Sequence, residues 1–174
     1  SNRVFKFDTT TDTLLATFTG ITQPFGIDAT DPTFLFVGQL NAPNIHKMSK
    51  SDGTIAWTRD SGAGSGGVYN VLRDPPSGVI YWSAISGSVG YLVDGSSIKQ
   101  SFATTTASNH FMIKVGNEIW VAGRGSATVV VMPVFDGVTT TTTSSSTDTA
   151  TTTSITSSTS SSTASSTDTG GGGG

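Results

Sequence analysis

The sequence predicts an all-β fold built of repeated four-stranded antiparallel meanders, followed by a non-globular tail. Three observations carry this. Up to about Val138 the chain alternates apolar and polar side chains, with Gly, Asp and Pro at the breaks. Glu occurs once, at Glu118, while Thr, Ser, Gly, Val and aromatic residues dominate, which favours strands and turns over helices. Between Thr139 and Thr169 every position is Ser or Thr except Asp148, Ala150, Ile155, Ala164 and Asp168, and positions 170–174 are all glycine. The body, positions 1–137, is long enough for one domain with a core. The tail, positions 138–174, holds one large apolar residue, Ile155, and cannot bury enough surface to offset the entropy of ordering it.

A strand pattern recurs four times in this body. Val4-Phe5-Lys6-Phe7, Ile45-His46-Lys47-Met48, Val89-Gly90-Tyr91-Leu92 and Val129-Val130-Val131-Met132 follow one another at nearly even spacing. A second apolar pattern lies between them: Leu35-Phe36-Val37-Gly38, Ile80-Tyr81-Trp82-Ser83 and Ile119-Trp120-Val121-Ala122. Phe25, Tyr69 and Phe111 form a third, aromatic anchor.

Each unit therefore reads as four strands. The first carries the aromatic anchor. A turn follows, at Thr30-Asp31-Pro32, Asp74-Pro75-Pro76-Ser77-Gly78 or Gly116-Asn117. The apolar run is the second strand and the recurring pattern the third. Ser51-Asp52-Gly53 or Asp94-Gly95 then makes a hairpin turn into a fourth strand at 54–59 or 97–102. At the start of the chain only the last two strands are present, with a turn over 8–12 and a strand over 14–18. Four-stranded meanders at a period of about 40–45 residues mark β-propeller blades. The count is two strands, two full units and three strands, about three and a quarter blades, whereas closed propellers use four or more. The body is thus part of a longer propeller, is completed by a neighbouring copy, or stacks as an open sheet whose edges invite association.

The run Val4-Phe5-Lys6-Phe7-Asp8, Leu14-Leu15-Ala16-Thr17-Phe18, Gln23-Pro24-Phe25-Gly26-Ile27-Asp28 and Leu35-Phe36-Val37 resembles propellers of the NHL, YVTN and lactonase-like group. The shared order is a strand, a turn, a Pro-aromatic-Gly step and an apolar strand. At the level of pattern the likeness spans most of positions 3–137. It implies a propeller fold; metal-using members place carboxylates and amides from several blades around a channel. With a single Glu and a partial set of blades, no catalytic residue carries over to this chain.

No motif names a reaction, so the expectation is a non-enzymatic protein with no cofactor and no metal. His46 and His110 are isolated and read as ordinary strand residues. Asp8, Asp52 and Asp94 recur at turns, where Asp and Gly accept the required backbone angles, and this outweighs a calcium reading. Asp28-Ala29-Thr30-Asp31-Pro32 reads the same way. The Gly-rich stretch 61–67 lacks the following helix and the Lys of a phosphate loop, and reads as a flexible loop between blades. Trp57, Trp82, Trp120, Tyr69, Tyr81 and Tyr91 fill the space between blades more readily than they form a sugar-stacking platform.

Charge excludes further classes. A net charge of -3 with 12% charged residues offers no footprint for nucleic acid or anionic membrane, and no stretch is apolar enough to span a bilayer. Cys is absent, which removes disulfides, thiolate metal sites and a Cys nucleophile. The chain opens on Ser1-Asn2 with no signal peptide and reads as processed or partial.

Ser/Thr-rich segments of secreted proteins are read as O-glycosylated stalks. The candidate acceptors are Thr139, Thr140, Thr141, Thr142, Thr143, Ser144, Thr147, Thr149, Thr151, Thr152, Thr153, Thr156, Thr159, Thr163 and Thr167. No Asn has Ser or Thr two positions on, so covalent glycans fall on hydroxyls. The function expected is an extracellular or cell-surface structural glycoprotein whose partners are copies of itself, joined as a fibre or surface layer. The alternative is a fragment of a secreted propeller that binds a ligand or hydrolyses a lactone.

Overall fold

The computed structural model describes residues 2–104, 109–123 and 129–135, all within the unit Ser1–Thr139. They form thirteen strands and a single short 3-10 turn, Gly64–Gly66. The strands fall into four antiparallel meanders, here blades I to IV. Blade I holds β1 (Val4–Asp8) and β2 (Thr13–Phe18). Blade II holds β3 (Pro24–Asp28), β4 (Phe34–Gln39), β5 (Asn44–Ser49) and β6 (Ile55–Asp60). Blade III holds β7 (Val68–Arg73), β8 (Val79–Ala84), β9 (Ser88–Val93) and β10 (Lys99–Ala103). Blade IV holds β11 (Asn109–Val115), β12 (Glu118–Gly123) and β13 (Val129–Pro133). The expected two-four-four-three distribution is what forms.

The turns shift some strand starts. Asp52 Oδ1 accepts the Thr54 N–H at 2.9 Å and Gly53 takes φ 76°, so the fourth strand of blade II begins at Ile55. In blade III the turn is longer than Asp94-Gly95. Ser96 N–H donates to Val93 O at 3.1 Å and Val93 N–H to Ile98 O at 3.0 Å, which delays β10 to Lys99.

Blades pack face to face, and the core lies between them. Side chains alternate along a strand, so each central strand serves two interfaces. Leu35 and Val37 of β4 pack with Val4, Ala16 and Phe18 of blade I. Phe36, between them, packs with Val71, Ile80, Trp82 and Leu92 of blade III. Tyr81, flanked by Ile80 and Trp82, meets Met112, Ile119 and Val121 of blade IV. The first strands of blades II to IV adjoin one another, with β7 between β3 and β11. Gly26 of β3 permits the close approach: a Cβ there would sit 2.5 Å from Tyr69 O and 2.6 Å from Asn70 Cα. The aromatic anchors meet here as well, with the Phe25 and Tyr69 rings 4.5 Å apart.

Candidate functional site

Asp28, Asp31, Asp74 and Asp94, with Lys47, Arg59, Arg73 and Lys114, serve the joints between blades. Asp28 Oδ1 accepts the Thr30 N–H at 2.8 Å, while its Oδ2 accepts the Arg73 N–H at 2.9 Å across to blade III. Asp31 receives the Thr33 and Phe34 N–H groups at 2.9 and 3.0 Å, and Arg73 Nη2 lies 3.4 Å from its Oδ2. Burial opposes ionisation of Asp31, but those two N–H donors and the Arg73 and Lys47 charges outweigh it and lower its pKa. Asp28 and Asp31 thus do more than shape the turn expected of them.

Asp94 likewise departs from simple turn chemistry. Its Oδ2 takes a 2.6 Å ion pair from Lys47 and its Oδ1 a 3.1 Å hydrogen bond from Trp57 Nε1, both on blade II. The Lys47 ammonium stands 4.3 Å from the Phe34 ring centroid. Arg59 Nη1 donates to Val93 O at 3.0 Å and also to Ser96 O. Between blades III and IV, buried Asp74 pairs with Lys114 at 2.5 Å. Burial opposes the Asp74 charge, yet bonds from Lys114 and Ser77 prevail and lower its pKa. Asp8 and Asp52 remain turn residues: Asp8 Oδ1 accepts the Thr10 and Thr11 N–H groups at 2.8 and 3.3 Å.

His46 is a buried strand residue. Its Nδ1 lies 2.8 Å from Thr58 Oγ1 and its Nε2 3.0 Å from Gln39 Oε1. Burial lowers its pKa, so the imidazole is neutral. His110 falls in β11, and its side chain lies outside the described residues. Among the described residues no group of three or more His, Cys, Asp or Glu gathers as a metal site requires. The 61–67 loop is anchored: Ser61 and Ala63 are buried, and Ser86 Oγ donates to Ala63 O at 2.9 Å. The tail acceptors at 139–167 lie outside the described residues.

Most singled-out aromatics do fill blade joints. Trp82 and Tyr81 are buried, and the Trp57 ring lies 6.1 Å from that of Phe36. Tyr91 stacks on Phe135 at 4.6 Å, and burial raises its hydroxyl pKa. Trp120 differs, because it faces outward from blade IV. Its ring is held by a 2.9 Å hydrogen bond from Nε1 to Glu118 Oε2. Cross-strand register sets Ile113, Trp120 and Val131 in one row and Ala122 beside Val129, so they share one open apolar face. At the opposite end, blade I turns Phe5 and Phe7 outward, their rings 6.4 Å apart. Exposed Leu14, the cross-strand partner of Phe7, joins them. Sequence reasoning marked the missing strands but not these two faces; their signal was the alternation itself once the end blades were counted.

Solved structures share this architecture. The chain superposes on a chain of the mitotic checkpoint complex with TM-score 0.65 at 17% identity, covering 78% of this chain and 45% of that one. A chain of the nidogen/laminin complex gives 0.55 at 16% identity, with 76% and 56% covered. The computationally designed Ika4 protein gives 0.59 at 11% identity, with 77% and 81% covered. This chain thus spans about half the length of the first two matched chains. The fold is of β-propeller type. No protein-family model matches the sequence, and no curated protein matches it.

Proposed function

We propose that this protein is a non-enzymatic structural glycoprotein of the cell surface or extracellular space, whose propeller-like body assembles with copies of itself into a fibre or surface layer. The observation that carries this is the pair of uncovered apolar faces, one on blade I and one on blade IV. Contiguous exposed apolar surface marks an interaction site. Asp31, Asp74 and Asp94, with Lys47, Arg73, Lys114 and Trp57, are engaged in holding the blades together. The Ser/Thr tail, with its dense run of hydroxyl acceptors, supports O-glycosylation and hence an extracellular setting.

Electron microscopy of native material, with intact mass on the same sample, tests the proposal. Regular assemblies and a mass well above 17.8 kDa per chain are expected. Single particles at the bare polypeptide mass would refute it.

A second reading is favoured by one observation: this chain covers only 45% and 56% of two matched chains. In it the body belongs to a longer propeller of the NHL, YVTN or lactonase-like kind, which binds a ligand or hydrolyses a lactone. The complete gene decides; six or seven repeats would support this reading over self-assembly.

A further inference from the structure

Three successive blades carry an aromatic residue at one position of their second strand: Phe36, Tyr81 and Trp120. On the same face of the third strand, two residues from their cross-strand partners, stand Ile45, Val89 and Val129. In blades II and III the next blade seals both. Phe36 and Ile45 are 0% exposed, and Tyr81 and Val89 1%. In blade IV the same pair is 39% and 54% exposed. Central-strand burial follows suit: every residue of β8 is buried, whereas β12 alternates between covered and uncovered.

The reverse faces repeat too. Met48, Leu92 and Met132 stand at equivalent third-strand positions and pack against the preceding blade. Their equivalent in blade I is Phe7, which has no preceding blade among the described residues and is 57% exposed. The II–III and III–IV joints therefore set the Phe36-type face of one blade on the Met48-type face of the next, and at the I–II joint Val4 and Ala16 of the third and fourth strands face Met48. Among the described residues one face of each type is left unused, the Trp120 face of blade IV and the Phe7 face of blade I.

We infer that the Trp120 face of blade IV docks the Phe7 face of blade I from a second copy, continuing the internal blade-to-blade packing between molecules. This deepens the self-assembly reading and rests on it. The occupant follows from chemistry on the page. The joint requires a row of large apolar side chains, which the copy supplies in Phe5, Phe7 and Leu14. The tail, with Ile155 as its one large apolar residue, has no such row. The contact is heterologous, since two different patches meet, and it propagates. The Glu118 bond holds the Trp120 ring in place before docking, which lowers the ordering cost.

The test is sedimentation velocity on the full-length chain and on Phe7→Lys and Trp120→Lys, with circular dichroism as the folding control. Each variant loses one face and keeps the other. Each alone should sediment as a monomer, and an equimolar mixture should give a terminated 1:1 dimer. If Trp120→Lys does not fold, Val131→Lys on the same face replaces it. Wild-type assembly that persists in both folded variants would overturn this interface while leaving self-assembly intact. Monomeric variants whose mixture stays monomeric would overturn the face-to-face pairing. A wild-type chain that stays monomeric at high concentration would overturn the self-assembly reading itself, and a longer parent chain supplying the next blade would be the alternative occupant.

Discussion

Gly90 shows how one position is dictated by two neighbours at once. A Cβ there would lie 2.2 Å from Gln100 O and 2.4 Å from the Trp82 ring. Neither a ladder carbonyl nor a fully buried indole can retreat. Gly90→Ala should therefore lower stability by ~1–3 kcal/mol through overpacking, read as a lower denaturant midpoint at constant slope. Gly78→Ala is the contrast: its Cβ meets nothing within 4 Å, and only its φ of 70° resists. Its loss should be smaller. His46 makes the second prediction at this scale. Burial lowers its pKa below the ordinary 6.5, so the folded state keeps the ring neutral while the unfolded chain takes up a proton. Its contribution is whole above ~6.5 and is lost as pH falls through the folded-state value. Asp31 and Asp74, with lowered pKa values, lose theirs in a separate window below ~4. Unfolding measured from about pH 7 to 5 should show a decline that His46→Gln flattens.

Between elements, the joint of blades II and III depends on Asp94 holding both Lys47 and Trp57. Both charges are mostly shielded, with side chains 17% and 18% exposed. Removing one partner strands the other. Asp94→Ala should cost ~2 kcal/mol, because the Lys47 ammonium is left against the Phe34 ring without its counter-ion. Lys47→Met combined with Asp94→Ala should recover part of that loss, since no charge is then left uncompensated. Chemical denaturation of the two singles and the double closes the cycle. A double variant that is as unstable as the sum of the singles would show that the pair is not coupled. The turn residues were legible in sequence because Asp and Gly advertise backbone angles. The bridges from Asp94 to Lys47 and from Asp74 to Lys114 were not, because their partners lie 47 and 40 positions away.

Over the whole molecule, each core cluster of the described residues draws on blades I to IV and the segments joining or flanking them. Positions 139–174 hold one large apolar residue, Ile155, so a chain ending at position 137 should keep its thermal midpoint within about 1 °C of full length, because little apolar area is removed. A large drop in differential scanning calorimetry would show that the tail completes the sheet. The proposed assembly, resting on apolar faces, should strengthen with sulfate.

Strand count, meander order and the place of each aromatic are all readable from the order of amino acids alone. Alternation and turn chemistry are local properties, and the repeat restates them blade after blade without reference to the rest of the chain. Phe36, Tyr81 and Trp120 look alike in that pattern. It takes the packed blades to distinguish the first two, which are sealed, from the third, which is open. Burial depends on whether another blade stands in front of a face, and no residue encodes what stands in front of it.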